Sequence, residues 1–181
     1  MFARTKRLTL RPGWPEDAPA LAQAIAHERV ATMLARVPWP YDVADAEAFL
    51  SLPRGPHQPR FLIEAMDGDT PRLVGGIELM RDGDSHELGY WLTPDAWGRG
   101  YATEAGRAML HIARHALGLR KLVARHALDN PASAKVLRKL GFREVGRGAL
   151  HSVGRGGDIP CAVLECALDR DDDRPPMQIA A

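Results

Sequence analysis

The sequence has few cysteines and no long apolar run. Only two cysteines, Cys161 and Cys166, occur among 181 residues, an odd number of positions apart on one predicted strand. Their side chains are expected on opposite faces of that strand, without a disulfide between them. No segment approaches the roughly 18 consecutive apolar residues of a membrane-spanning helix, and no apolar signal core follows residues 1–7. We therefore expect a cytoplasmic protein without a membrane anchor.

Basic and acidic residues nearly cancel. The chain has 24 Lys and Arg residues against 23 Asp and Glu residues, a formal net charge of +1. Domains that bind nucleic acid normally carry a strongly basic surface, so we expect no nucleic-acid partner. The length fits a single domain, which we place at residues 1–168, and the acidic and proline-containing residues 169–181 are expected to form a disordered tail.

Hydrophobic periodicity predicts about seven strands and four helices. The predicted strands cover residues 5–11, 60–66, 73–80, 87–92, 121–127, 142–150 and 159–168. The predicted helices cover residues 16–30, 42–50, 100–117 and 130–140. Two Asp-Gly-Asp turns, at 67–69 and 82–84, predict antiparallel hairpins. The fold class is therefore α/β (α+β), with a mixed, mostly antiparallel sheet and helices on its faces.

Residues 92–105 connect a predicted strand to the longest predicted helix through Gly98 and Gly100. Glycine lacks a Cβ, so its backbone N–H can approach a ligand closely, and a helix N-terminus favours an anion such as a diphosphate. The spacing is equally consistent with a tight turn that binds nothing. A dinucleotide fingerprint requires a third glycine where Thr103 stands, and a Walker loop requires Gly-Lys-Ser/Thr, so both of these motifs are excluded.

The same residues resemble the GNAT superfamily of N-acetyltransferases, whose coenzyme signature is Gln/Arg-x-x-Gly-x-Gly/Ala. The matching positions are Trp97, Gly100 and Ala102, with tryptophan in place of the usual first residue. Residues 87–92 and 97–105 together resemble the branch that contains ribosomal-protein N-terminal alanine acetyltransferases, where tryptophan is familiar at this position. Asn-Pro-Ala-Ser at 130–133 and Leu-Gly-Phe at 140–142 extend the resemblance over most of residues 5–168.

This resemblance implies the GNAT fold, acetyl-CoA as cosubstrate, and direct attack of an amine on the thioester in a ternary complex. A splayed pair of parallel strands would admit the pantetheine arm. By analogy alone, the resemblance also suggests a homodimer. The implied coenzyme-binding residues are Leu92, Trp97, Gly98, Arg99, Gly100, Tyr101, Ala102, Thr103 and Asn130.

Amine acetylation requires a base for the ammonium proton and an acid for the departing thiolate. Glu87 is the candidate base, directly or through a water, because it lies on the strand that leads to the glycine turn. His86, on the opposite face, is the alternative, and Glu87 is equally well explained as a surface carboxylate. The resemblance places Ser133 near the coenzyme sulfur as the acid, although a local hydrogen bond in the first helical turn also explains it. Asn130 is expected to cap that helix.

The sequence gives the least information about the identity of the acceptor amine. Trp39 and Tyr41 lie in the irregular N-terminal segments that build the acceptor pocket in this family, yet both residues could also fill the core. A protein N-terminus and a small amine both remain open as acceptors, as do a non-catalytic acyl-CoA sensor and an interaction domain. His111 and His115 have a spacing that can bind a metal, but no third ligand is evident and we expect no metal site.

Overall fold

A computed structural model describes residues 2–66, 68 and 70–168. The predicted tail at 169–181, and Asp67 and Asp69 of the first predicted turn, lie outside the described residues. The strands are β1 (Ala3–Arg4), β2 (Leu8–Arg11), β3 (Arg60–Ala65), β4 (Arg72–Asp82), β5 (Ser85–Leu92), β6 (Lys121–Ala127), β7 (Arg143–Ser152) and β8 (Gly157–Ala167). They form one eight-stranded sheet in the order β1-β2-β3-β4-β5-β6-β8-β7. This matches the predicted fold class, with one more short strand than expected.

The helices cover both faces of this sheet. They are α1 (Ala18–Ile25), α2 (Glu28–Ala31), α3 (Val43–Ser51), α4 (Tyr101–His111, continued by a π-helical turn, Ile112–Ala116) and α5 (Pro131–Lys139). On β3, Phe61 and Ile63 pack into the main core with α4 and α5, whereas Leu62 packs with α1 and α3. Since alternate residues of a strand point to opposite faces, the two helix pairs lie on opposite sides of the sheet.

Two predicted elements differ from the structure. The predicted strand at 5–11 contains a tight turn, because Thr5 Oγ1 accepts a hydrogen bond from Leu8 N at 3.0 Å and Thr5 N donates to Leu8 O at 2.9 Å. This turn creates the extra strand β1. The predicted helix at 16–30 is interrupted between Ile25 and Glu28, since residues 26 and 27 are exposed and no packing contact holds them in a helix.

The sheet opens between β5 and β6, its one parallel pair of neighbouring strands. The register joins these strands at a single pair, Glu87 with Val123. From there β5 continues to Leu92 and β6 to Ala127 without further pairing in the register. The diverging strands leave a cleft at the centre of the sheet, and the turn that leads into α4 lies beyond the end of β5.

Candidate functional site: a cleft between two parted strands

A cleft of about 1110 Å³ runs along the opening between β5 and β6. Most of the residues expected to bind coenzyme line it, namely Leu92, Trp97, Gly98, Gly100, Tyr101, Ala102, Thr103 and Asn130. Arg99, also expected there, does not line the cleft. Both expected catalytic residues, Glu87 and Ser133, line it as well. The structure therefore brings together residues from β5, the glycine turn, α4 and the start of α5.

The glycine turn has a backbone conformation that side-chain-bearing residues rarely adopt. Gly98 has a φ of 75° and Gly100 a φ of 80°. A Cβ added to Gly98 would meet no heavy atom within 4 Å, so the backbone conformation, not crowding, selects glycine there. The side of Gly98 where a Cβ would stand is therefore open to a ligand.

The first turn of α4 supplies backbone donors to the cleft. Gly100 is the N-cap, and Glu104 N donates to Gly100 O at 3.0 Å as the first helical bond. The N–H groups of Ala102 and Thr103 precede that bond, and a helix offers such groups no internal acceptor. Both residues line the cleft. Together with the helix dipole, this arrangement fits an anionic diphosphate.

Contacts from the N-terminal hairpin hold the glycine turn from behind. Glu104 accepts hydrogen bonds from Thr5 Oγ1 at 2.6 Å and from Arg7 N at 2.9 Å. Arg7 also pairs with the Glu104 carboxylate at 2.7 Å, and it donates from Nη1 to Arg99 O at 3.0 Å. In this structure Arg99 therefore contributes a backbone carbonyl that fixes the turn, while its side chain is outside the cleft lining.

Trp97 occupies the position where the resemblance expects Gln or Arg. Its Nε1 donates to Leu92 O at 2.9 Å, which ties the turn to the end of β5. The Arg29 guanidinium, from α2, lies over the Trp97 ring at 5.0 Å from its centroid. Arg29 and Trp97 both line the cleft, so this cation–π contact brings a positive charge beside the glycine turn.

Ser133 is held at the start of α5 by two partners. Its backbone N donates to Asn130 Oδ1 at 3.1 Å, which gives Asn130 the N-cap contact expected of it. Its Oγ is hydrogen-bonded to the Tyr90 hydroxyl, with 2.8 Å between the oxygens. Burial raises the pKa of Tyr90 to about 12, and the bond to Ser133 opposes that rise, so Tyr90 stays protonated near neutral pH.

Sequence reasoning did not identify Tyr90 as a functional residue. Its polar hydroxyl on a strand that also carries Leu88 and Leu92 was the available signal, because a half-buried tyrosine usually finds a hydrogen-bond partner. The identity of that partner, Ser133, depends on how α5 packs beside β5.

Glu87 lies at the point where β5 and β6 part. Its Oε2 accepts a hydrogen bond from Arg125 Nη1 at 2.6 Å, and Arg125 Nη2 donates to Asp82 Oδ2 at 2.8 Å. No described residue donates a hydrogen bond to Glu87 Oε1. Burial raises the pKa of Glu87, and the nearby charge of Arg125 only partly offsets this effect. A carboxylate with a raised pKa is a stronger base than an exposed one.

His86, the alternative base, is not among the residues that line the cleft. Its pKa is lowered by burial and by the positive charge of Arg81. Arg125, which sequence reasoning did not identify, ties β6 to Glu87 across the opening. This ion pair also provides a structural explanation for Glu87, since it joins the two strands where their backbone pairing ends.

The two aromatic residues expected in the acceptor pocket have different locations. Tyr41 lines the cleft, and burial, followed by the charges of Asp45 and Asp42, raises its pKa to about 12. Trp39 is 38% exposed and is not part of the cleft lining. The irregular segment that precedes Trp39 contributes much of this wall, with Thr32, Met33, Leu34, Ala35, Arg36, Val37 and Pro38.

The β7–β8 hairpin fixes this irregular wall in place. Arg155 donates from Nε to Thr32 O at 2.6 Å and from Nη1 to Asp129 Oδ2 at 2.8 Å. Ser152 Oγ, which is buried, donates to Leu34 O at 3.2 Å. Sequence reasoning missed the contacts to Thr32 and Leu34, because the residues that make them are more than a hundred positions apart and carry no motif.

Within the described part of the chain, no three His, Cys, Asp or Glu residues are placed to hold a metal ion. The rings of His111 and His115 are in contact, with centroids 4.4 Å apart and planes tilted by 44°. Cys161 and Cys166 are both buried free thiols. Among the described helices, none has the length and apolar character needed to span a membrane.

Comparison with known proteins agrees with this geometry. A model of the acetyltransferase (GNAT) domain matches residues 7–143. Because this match covers more than half of the chain, the chain belongs to the GNAT family of acetyl-CoA-dependent N-acetyltransferases. The predicted family, fold and enzyme class are thereby confirmed.

Individual relatives show how far the similarity extends. The N-acetyltransferase YnaD of Bacillus subtilis, itself uncharacterized, is 27% identical over 148 residues, covering 81% of this chain and 85% of the relative. A GNAT acetyltransferase from Bacillus anthracis has a TM-score of 0.79 at 20% identity, covering 94% of this chain and 100% of that one. RimL, a ribosomal L7/L12 α-N-protein acetyltransferase in complex with coenzyme A, has a TM-score of 0.77 at 17% identity, with the same coverage. At these identities the solved structures show a shared fold.

Proposed function

We propose that this protein transfers the acetyl group of acetyl-CoA to a primary amine, by direct attack of the amine within the cleft. The observation that carries the proposal is the junction of β5, the glycine turn and α4. There, backbone donors suited to a diphosphate lie beside two parted parallel strands. Glu87 and Ser133 line the same cleft, so candidate groups for removing and supplying a proton are both present.

The proposed coenzyme contacts follow the cleft wall. The N–H groups of Ala102 and Thr103 would hold the diphosphate, and Asn130 and Leu92 would lie along the pantetheine arm. Bound acetyl-CoA supplies an activated acyl group with a thiolate leaving group. The rigid anchoring of the turn by Arg7 and Glu104 supports this role, because a preformed site loses little entropy on binding.

The proton transfers are assigned to residues on either side of the strand opening. Glu87 takes a proton from the acceptor ammonium, directly or through a water. The lone pair that this frees on the acceptor nitrogen then forms the N–C bond. As the C–S bond breaks, Ser133 Oγ gives its proton to the thiolate sulfur. Tyr90, which is protonated near neutral pH, then restores the proton on Ser133 through their 2.8 Å hydrogen bond. The second proton, which the acetylated nitrogen loses as the amide forms, returns to Tyr90 through water in the cleft, and Glu87 releases its proton to solvent.

We further propose a cytoplasmic enzyme whose acceptor is a protein N-terminal α-amino group. The fold shared with RimL supports this choice, since RimL is named as a ribosomal-protein α-N-acetyltransferase. A small-molecule amine is the alternative acceptor. An array of N-terminal peptides tested alongside small amines separates the two, because kcat/KM reports which class the cleft is built to orient.

The coenzyme site is tested directly by calorimetry. The wild type and a matched pair of glycine variants are each titrated with acetyl-CoA. Gly100→Ala strains the left-handed turn and places a methyl group 3.6 Å from Arg7 Nη2, which anchors it, so the backbone donors should shift and binding should weaken at least about tenfold. Gly118→Ala is the control, because Gly118 also has a positive φ, 65°, with no atom within 4 Å of an added Cβ. Similar backbone strain is then imposed away from the cleft. Equal weakening by both variants, or wild-type protein that does not bind acetyl-CoA, contradicts the proposal.

A non-catalytic acyl-CoA sensor would use the same glycine turn without Glu87 or Ser133. The enzymatic assignment therefore requires that Glu87→Gln or Ser133→Ala lowers the turnover of an accepted amine while acetyl-CoA binding is retained. Unchanged turnover in both variants would refute the two catalytic assignments.

A further inference from the structure

A second, smaller cavity of about 140 Å³ lies at the open edge of β4. Strand β3 begins at Arg60 opposite Glu78, so the end of β4 extends past it, and Leu79 N donates to Pro59 O at 2.9 Å. The cavity is formed beside this extension. Its lining consists of Arg36, Arg54, Gln58, Arg60, Glu78, Leu79, Met80 and Arg81.

This lining carries four arginines and a single carboxylate. Glu78 is engaged by Arg60, with 2.9 Å between Oε2 and Nε. Arg54 donates to Gly13 O at 2.7 Å and Arg81 to Gly83 O at 3.1 Å. These two bonds to backbone carbonyls position the guanidinium groups without neutralising them, so the cavity keeps a surplus of positive charge.

The surplus charge has an energetic consequence. The pKa of Arg54 is lowered by burial and by the like charge of Arg60. Like charges gathered around a small space repel one another, and the attraction of an anion bound between them offsets this repulsion. Guanidinium groups also match carboxylate and phosphate oxygens with paired hydrogen bonds.

The small cavity adjoins the larger cleft. Arg36, Arg60, Glu78 and Met80 line both spaces. Met80 is the register partner of Glu87 across the β4–β5 pair, and the charge of Arg36 acts on the Glu87 carboxylate. An anionic group in the small cavity would therefore lie on the acceptor side of the cleft. One acceptor molecule would then place its anionic group in this cavity and its amine at Glu87.

We propose that the cavity lined by Arg36, Arg54, Arg60 and Arg81 binds an anionic group, a carboxylate or a phosphate, carried by the acceptor amine. This inference rests on the proposed acetyltransferase function and narrows its substrate class. The acceptor would be an amine with an anionic group a short distance from the reacting nitrogen, as in an N-terminal peptide with an early acidic residue or in an aminoalkyl phosphate.

Binding of inorganic phosphate tests the cavity without turnover. The protein is first saturated with coenzyme A, so that phosphate cannot occupy the diphosphate site, and is then titrated with phosphate by NMR. Saturable binding is expected, and Arg36→Gln should weaken it about tenfold through loss of a charged hydrogen-bond donor. Arg107→Gln, an equal charge change on an exposed position of α4, should leave it unchanged. Absence of saturable binding, or equal weakening by both variants, overturns the proposal.

Turnover of paired acceptors tests specificity and distinguishes the two anion sources. One pair consists of amidated N-terminal peptides that differ only as Asp or Asn at an early position, and the other of an aminoalkyl phosphate and its uncharged alcohol. The anionic member of at least one pair should have the higher kcat/KM, and Arg36→Gln should abolish the preference. Acetylation of both members at equal rates overturns the anion site but leaves the acetyltransferase function standing. Saturable phosphate binding without acetylation of any amine supports the anion cavity and counts against the proposed function.

Discussion

The proposed site has a coenzyme half and an acceptor half, and the two are built in different ways. The coenzyme half is one continuous strand–turn–helix unit, from β5 through Gly98 and Gly100 into α4. The acceptor half combines the irregular segment after α2, the end of β4 and the β7–β8 hairpin, joined by contacts such as Arg155 with Thr32. Local backbone conformation fixes the first half, whereas long-range side-chain contacts fix the second.

Because of this difference, the two halves depend on different features of the sequence. A diphosphate bound by backbone N–H groups requires the turn conformation but few particular side chains, so the coenzyme half depends on its glycines. The acceptor half presents side chains, among them Tyr41 and Arg36, and its shape changes with the segment that carries them. The halves meet where Arg29 lies over Trp97 and where Glu87 reaches the opening.

The largest predicted effect lies at the boundary between the halves. Glu87→Gln should lower kcat at least about 100-fold with little change in acetyl-CoA affinity, because the general base is lost while the glycine turn is intact. The pKa of Glu87 is raised above 4.5, so wild-type activity should fall as pH drops through that raised pKa, and the variant should lack this limb. His86→Gln is the matched control and should retain activity. Steady-state kinetics across pH, paired with calorimetry, measures both effects.

The sequence predicted the coenzyme half more fully than the acceptor half, because local backbone conformation can be inferred from a sequence and long-range side-chain contacts cannot. Gly98 and Gly100 require a left-handed backbone that is encoded locally, and hydrophobic periodicity placed α4 and α5 correctly. Arg125 and Tyr90 escaped notice because their partners come from neighbouring strands and helices, and pairing of this kind is not visible in a single sequence. The break after Ile25 was missed because alanine favours a helix, whereas residues 26 and 27 are exposed and no packing holds them in one.

The next effect, smaller than that of Glu87, tests the acid in the coenzyme half. Ser133→Ala should lower kcat by about 10- to 100-fold, because the thiolate then leaves without a proton donor in contact. The Asn130 cap accepts from the Ser133 backbone and should remain, so acetyl-CoA affinity and stability should change little. Tyr90→Phe removes only the partner hydroxyl and should have a weaker effect. A larger loss in Tyr90→Phe than in Ser133→Ala would assign the acid to Tyr90 instead.

A third variant should disturb the acceptor half alone. Arg155→Gln removes the ion pair with Asp129 and weakens the bond to Thr32 O, which frees the wall of the cleft. The KM for the amine should rise about three- to tenfold, because a more mobile wall orients the acceptor less well. The glycine turn should be unchanged. Arg147→Gln is the control, because Arg147 is 71% exposed and pairs only with nearby Glu144 among described residues. A parallel loss of acetyl-CoA affinity would mean that the two halves are not independent.

The smallest effect concerns stability, at the start of α1 on the acceptor side. Arg11 pairs with Asp17 at 2.7 Å, and Asp17 also accepts from Trp14 N at 2.7 Å. The bond from Arg11 and the one from Trp14 lower the pKa of Asp17 below 3.8 in the folded protein, despite the opposing effect of burial. A lowered folded-state pKa stabilises the protein above the unfolded pKa, and this stabilisation is lost as pH falls through the folded value. Asp17→Asn should therefore reduce the free energy of unfolding by about 2 kcal/mol at neutral pH.

That difference between wild type and Asp17→Asn should shrink as pH falls below 3.8, because protonated Asp17 no longer attracts Arg11. Urea unfolding near neutral pH and again at acidic pH measures it. Asp158→Asn serves as the control, since Asp158 is 68% exposed in its pair with His151 and such surface pairs contribute little. Coenzyme affinity should stay unchanged in both variants, because the glycine turn is anchored by Arg7 and Glu104 instead. A pH-independent loss in Asp17→Asn would show that packing, not the ion pair with Arg11, holds the start of α1.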